Sequence, residues 1–368
     1  MTGRARAAAH ARAGDCACEA AGTLADRPDG TVVRHADTVA KAHAPDADRA
    51  ELTARLAVAA RLPGILLSPL CPAPADLHGR LVTFWPYGDP VDPDAPDAAP
   101  WEAAATLLAR LHRSPLPTPA TVPPARDWGA PDARPFTPPP GNAGTPDARS
   151  ATAPATRAGE WEARPLTPPA TRAGSPDIRP AAAPPPMRGP LKAARACDRL
   201  LAVAPGHPAA APVLRAWDTL PAWSRGEAPM PDSAVLCHGD LHLGQLVRHP
   251  APDGPWLLID VDDLGTGVPA WDLARPAAWF ACGLLPPDEW TRFLNAYRAA
   301  GGPAVPADGD PWPALDVSAR ALTVQTAALA VVRATAADRP LDEVERAVVD
   351  ACDRMRGIPA ELTQGVPK

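Results

Sequence analysis

The string HGDLHLGQ, residues 238–245, sets two histidines, an aspartate and a glutamine between two short apolar runs, AVLC and LVRH. A second acidic run, LLIDVDD at 257–263, follows closely. Three chemistries use such side chains. His238, Asp240 and His242 alternate along the chain, so one face of a strand could present all three to a metal. A hydrolytic metal site needs further ligands, however, and no histidine follows His249. A polar turn freed by Gly239 and Gly244 explains the loop but leaves LLIDVDD without a role. Phosphoryl transfer from Mg-ATP accounts for both segments. Asp240 serves as the carboxylate that aligns an acceptor hydroxyl, while Gln245 and Asp260 supply the few protein oxygens that magnesium takes beside phosphate oxygens.

These residues carry a resemblance. HGDLHLGQ followed by LLIDVDDLGTGVPAWDLAR resembles the aminoglycoside phosphotransferase and choline kinase-like enzymes, small-molecule kinases of protein-kinase-like fold whose pattern is H-G-D-x-x-x-x-N, then I-D, then D-L-A. The resemblance implies that Asp240 is the catalytic base, that Asp260 is the main magnesium ligand and that ATP is the donor. Gln245 stands where most members have asparagine, and the full string is similar to that of bacterial maltokinases, which carry glutamine there. A carbonyl oxygen is kept, one methylene further out. By the same resemblance His238 and Asp272 orient the catalytic loop.

An N-terminal lobe must bring the nucleotide to this loop. TVVRH and TVAKAHA are β-prone runs separated by two residues, which predicts a tight hairpin. Lys41 lies on the second run and is the only lysine in the first 190 residues, placed to hold the ATP α/β-phosphates. Residues 26–31, DRPDGT, take the place of the hairpin over the phosphates, without a glycine-rich loop. A helix is predicted from about Asp48 to Arg61, with Leu52, Leu56 and Ala59 at helical spacing. Glu51 is its only glutamate, ten residues after Lys41; the expected place for an ion-pair partner falls nearer Leu56 and Ala57. GRLVTFWPYG reads as a strand, and FWPYGDPV falls at the hinge, where backbone groups of Trp85 to Tyr87 are candidates for adenine contacts.

The C-terminal part reads as helical: 100–112, GPLKAARACDRLLAVA, PAAAPVLRAWDTLPAW, WDLARPAAWFA, PDEWTRFLNAYRAA and ALDVSARALTVQTAALAVVRATA. The expected architecture is α+β: residues 1–20 a disordered leader, 21–92 a small β-rich N-lobe with the hinge, and 93–368 a larger helical C-lobe. Residues 115–186 interrupt it with 20 prolines in 72 residues and too few apolar anchors to offset chain entropy, which predicts a disordered insertion. Its weak repeats, such as PATRAG at 154 and 169, lack the apolar face that stacking units need.

At 368 residues and 46% hydrophobic the chain can bury a large core, and a net charge of −6 argues against nucleic acid as a partner. Seven cysteines without a pairing pattern suggest a reduced, cytoplasmic protein. No uninterrupted apolar run approaches the length of a membrane span, and the alanine-rich start lacks an apolar signal core. The expected partner is a hydroxylated small molecule, a sugar, amino sugar or aminoglycoside. Trp223, Trp271, Trp279 and Trp290 are candidates to line its pocket. The rival expectation is a nucleotide-binding pseudokinase, suggested by Gln245 and by the unclear partner of Lys41.

Overall fold

A computed structural model of the chain describes residues 21–27, 30–116, 183–231 and 234–355. Both the leader, 1–20, and nearly all of the proline-rich stretch 115–186 lie outside the described residues. The first strands form an antiparallel ladder: β1 (Ala21–Arg27), β2 (Gly30–His35) and β3 (Thr38–Ala42). Alternation sets the faces of β2, with Thr31, Val33 and His35 buried and the residues between them only partly so. The β2–β3 connection is the two-residue turn expected from sequence, closed by His35 opposite Thr38, and it holds Ala36 in the left-handed region at φ 50°.

Helix α1 (Arg49–Arg61) follows. Asp48 caps it, its side chain accepting the Glu51 N–H at 2.8 Å, and Leu52, Leu56 and Ala59 are buried as the spacing requires. Strands β4 (Ala75–Leu77) and β5 (Arg80–Pro86) complete a five-stranded sheet of order β1-β2-β3-β5-β4. Strand β6 (Asp89–Pro90) then leaves this sheet to pair with a strand of the C-terminal region.

Helices dominate from α2 (Trp101–His112) onward, continuing with α3 (Gly189–Val203) and α4 (Ala210–Asp218). Four short strands are set among them: β7 (Val235–Cys237), β8 (Leu246–Arg248), β9 (Trp256–Leu258) and β10 (Gly265–Gly267). They are followed by α5 (Ala270–Ala281), α6 (Pro287–Ala299), α7 (Trp312–Ala336) and α8 (Glu343–Arg354). This mixed architecture, an N-terminal antiparallel sheet and a mainly helical C-terminal region, is the protein-kinase-like fold.

Helix α7 has the length and mean hydropathy of a membrane span, but it is largely buried against α3, α5 and α8 and forms the centre of the helical core. Helix α8 starts with a capping box: Asp342 accepts the Glu345 N–H at 2.8 Å, and Glu345 accepts the Asp342 N–H at 3.0 Å. Asp342→Ala is expected to cost roughly 1 kcal/mol, the usual worth of an N-cap, read as a small drop in melting temperature. An unchanged melting temperature would remove the cap from the account of this helix.

Candidate active site

The four short strands decide where the loops go. β7 ends at Cys237, and the chain runs through His238–His242 into a 3-10 turn, Leu243–Gln245, before entering β8. β8 pairs antiparallel with β9, and the chain after β9 passes Asp260 and a second 3-10 turn, Val261–Asp263. β10 then returns antiparallel to β7, Gly265 opposite Cys237. This return presses the two loops together. At Gly239, φ is 87° and a Cβ would overlap the Asp263 carbonyl, so glycine is required twice over.

Hydrogen bonds lock the catalytic loop from below. Asp272, fully buried on α5, accepts the His238 N–H at 2.6 Å and the Gly239 N–H at 2.7 Å. His112 of α2 holds the same carboxylate at 2.9 Å and is bonded on its other nitrogen to Tyr297 at 2.7 Å. Burial alone would push Asp272 up, but the His112 hydrogen bond and charge hold its carboxyl below the ordinary range. The His238 ring reaches across to the Ile259 carbonyl at 2.8 Å, and the Ile259 N–H donates to the Gln245 carbonyl at 2.9 Å. Asp240, Gln245 and Asp260 are thereby fixed in one frame.

Asp240 is clamped by two cations. Arg275 of α5 donates to Oδ1 at 2.7 Å and to the Leu241 carbonyl at 3.0 Å, while Lys192 of α3 bonds Oδ2 at 2.6 Å. Burial favours the neutral acid, but Lys192 and Arg275 outweigh it and keep Asp240 ionised well below the usual carboxylate range. His242 beside it is pushed down to about 4, chiefly by burial, and so is neutral near pH 7.

Asp260 adopts the left-handed conformation, φ 64° and ψ 76°, uncommon for a residue with a Cβ and of order 1–3 kcal/mol in cost. The bend aims its carboxylate at Lys41 Nζ, 2.5 Å from Oδ1, and at the Gln245 amide, 3.4 Å from Oδ2. Lys41 also lies 3.0 Å from Asp262 Oδ2. Burial would lower the Lys41 pKa, but Asp260 and Asp262 together raise it, and the ammonium stays charged. Asp260 and Asp262 already hold one cation, the Lys41 ammonium, while Gln245 turns its amide nitrogen toward Asp260. The paired carboxylates fit a hard divalent ion such as magnesium, to which Gln245 would offer its carbonyl oxygen with the amide turned over.

Glu51 is not among the groups on Lys41. It pairs instead with Arg55 one turn on, at 3.1 Å, and the second carboxylate on Lys41 is Asp262. A chain of side chains holds Asp262 from the N-terminal sheet: its Oδ1 is 3.0 Å from His43 Nδ1, His43 Nε2 is 2.8 Å from Thr83 Oγ1, and Trp85 Nε1 donates to the same hydroxyl at 2.9 Å. Glu51→Ala is therefore expected to leave nucleotide affinity nearly unchanged, whereas Asp262→Ala weakens it. Titration of both variants with a fluorescent ATP analogue checks this, and the reverse order of effects contradicts it.

The hinge residues are placed differently from the other candidates. Trp85 is buried on β5, and its backbone lies opposite Val39 in the ladder. The Tyr87 N–H donates to the Asp37 carbonyl at 2.7 Å, and the Tyr87 carbonyl is 2.9 Å from His249 Nδ1, so both of its main-chain groups are engaged. Its ring lies under the Arg34 guanidinium. Backbone groups of an antiparallel strand alternate in direction, so the Pro86 carbonyl faces away from β3.

Lys192, Arg275, Asp262, Asp263 and His43 were not singled out from sequence. Lysine scarcity was the available signal for Lys192, since it is the only lysine between Lys41 and the C-terminal Lys368.

Comparison with known proteins agrees with this fold. Residues 24–314 match the family model described as the phosphotransferase enzyme family. Among solved structures, a choline/ethanolamine kinase family protein from Mesorhizobium loti is 16% identical, with 99% of this chain and 100% of that chain covered and a TM-score of 0.51. A thermostable mutant of aminoglycoside phosphotransferase APH(4)-Ia, in ternary complex with AMP-PNP and hygromycin B, is 11% identical over 93% of this chain and 96% of its own, with a TM-score of 0.50. No curated protein matches the sequence. The family match spans most of the chain, from the first strand through the start of α7, and the chain belongs to the phosphotransferase enzyme family of ATP-dependent enzymes that act on hydroxyl groups.

Proposed function

We propose that the chain transfers the γ-phosphoryl group of ATP to a hydroxyl of a sugar or amino sugar. The observation that carries this reading is the frame itself: Asp240, Gln245 and Asp260 are joined through His238, Ile259 and Asp272, with Lys41 reaching Asp260 from the N-terminal sheet. Lys41 holds the α/β-phosphates, the Pro86 carbonyl faces the adenine, and Asp260 and Gln245 hold magnesium. Magnesium, when bound with ATP, neutralises charge on the β- and γ-phosphates. Asp240 accepts the hydrogen of the acceptor hydroxyl; each carboxylate oxygen keeps a lone pair beyond those used by Arg275 and Lys192. Its depressed pKa makes it a weak base, suited to orienting the hydroxyl and taking the proton late.

We assign the acceptor side to a small apolar recess beside the catalytic loop, lined by Trp101, Leu241, His242, Arg275 and Trp279. Trp271 and Trp290 are buried in the core and Trp223 packs on Trp271, and of the four tryptophans Trp279 is the one that lines this recess, which makes it the candidate for contact with a sugar ring. A cytoplasmic location fits the five described cysteines, all free. Incubation with labelled ATP and a panel of neutral sugars, amino sugars and aminoglycosides tests the reading. One class of phosphorylated sugar is expected, with Trp279→Ala raising its KM; labelling of hydroxylated acceptors that carry no sugar ring, and of no sugar, would contradict it.

A further inference from the structure

The catalytic loop HGDLHLGQ contains no lysine or arginine, so a cation for the transferred group must come from another element. Helix α3 supplies one. Its entry is stapled to the segment after Asp260: the Met187 N–H donates to the Thr266 carbonyl at 2.9 Å, the Arg188 N–H to the Asp263 carbonyl at 3.2 Å, and the Thr266 N–H to the Pro185 carbonyl at 2.9 Å. Gly189 then lies so close to the Trp271 indole that a Cβ would overlap it. This attachment fixes the first turn of α3. Lys192, one turn in, bridges Asp240 Oδ2 at 2.6 Å and Asp263 Oδ2 at 2.7 Å with a third of its side chain still exposed. The ammonium thus sits between the carboxylate that aligns the acceptor and a carboxylate three residues from Asp260. Asp240 keeps Arg275 whether or not Lys192 moves.

We propose that Lys192 is a catalytic residue that contacts the γ-phosphoryl group during transfer, an inference that rests on the kinase reading. In the transfer, a bond forms between the acceptor oxygen and the γ-phosphorus, the bond from that phosphorus to the β,γ-bridging oxygen breaks to leave ADP, and the acceptor proton passes to Asp240. Negative charge lies on the equatorial oxygens of the moving group, and a preorganised ammonium stabilises it there. Asp263 keeps the ammonium in place as Lys192 turns from Asp240 to the phosphoryl oxygens.

Three variants separate this role from a structural one. Lys192→Met leaves Asp263 as an unpaired buried carboxylate, which can damage the site for reasons unrelated to catalysis. The double variant Lys192→Met with Asp263→Asn removes both charges. Lys192→Arg keeps the cation. We expect the first two to lose turnover by roughly 10²- to 10³-fold with the KM of the acceptor little changed, and the arginine variant to retain more. Affinity for ADP with magnesium is expected to stay at the parent value. The tighter binding that aluminium fluoride confers on ADP, by imitating the planar phosphoryl group, should be lost in both lysine-free variants. Near-parent turnover in the double variant, or undiminished tightening by aluminium fluoride, would overturn the proposal. If the parent phosphorylates no acceptor, the kinase reading fails, while the aluminium fluoride titration still decides whether Lys192 contacts a phosphoryl group.

Discussion

Replacing Asp240 with asparagine is expected to lower turnover by roughly 10²- to 10⁴-fold, the range for a positioned general base, with ATP affinity little changed. Size and loop geometry are conserved in the change. Arg275 can still bond the amide oxygen and Asp272 still holds His238 and Gly239, so the frame remains. What is lost is the carboxylate charge, which in the proposed role draws the acceptor proton. Steady-state kinetics with a responsive acceptor give the answer, and turnover near the parent value would remove Asp240 from the role.

Asp260→Ala acts on the other substrate. It removes the carboxylate that lies between Lys41 and Gln245, the one proposed above as the main magnesium ligand. Affinity for ATP with magnesium is expected to fall roughly 10- to 100-fold, as for loss of a charge-assisted contact. Affinity without magnesium should change far less. Titration of parent and variant with a fluorescent nucleotide, with and without the metal, separates the two cases. Identical affinities in both conditions would contradict the assignment of Asp260.

What could be read in the sequence was local. The hairpin of β2 and β3, helix α1 and strand β5 follow from period and turn length, and each formed where its pattern runs. β1 went unread because AGTLADR has little β-propensity; it is held by pairing with β2 and leaves Leu24 exposed, so tertiary pairing overrides local preference. α8 was also passed over, although Asp342 and Glu345 mark its start with a D-x-x-E signature.

The site divides in the same way. Asp240, Gln245 and Asp260 lie in two strings close in sequence, joined by a short hairpin, and their meeting follows from that proximity. The partners that tune them come from far along the chain. Lys41 is 219 positions from Asp260, and Lys192 is 48 from Asp240. Helical spacing after Lys41 offered Glu51 or the neighbourhood of Leu56 as its partner. The turn after Asp260 instead carries Asp262 to the sheet, where Lys41 and His43 receive it and Thr83 holds the far side of the His43 ring, and the helix keeps Arg55 on Glu51. The replacement of one carboxylate by another also removes one of the two reasons to read the chain as a pseudokinase, since Lys41 is held in place without a helix glutamate.

The measurement that tests the central claim most directly is phosphorus NMR of a reaction containing ATP, magnesium and the sugar acceptor found in the panel, run with the parent and with Asp240→Asn. With the parent, the γ-phosphate signal should decline in step with the rise of a phosphomonoester signal on the acceptor and of ADP, without matching release of inorganic phosphate; with the variant, this conversion should slow by the factor given above. ATP that binds yet persists unchanged, or that yields only inorganic phosphate, would contradict the account.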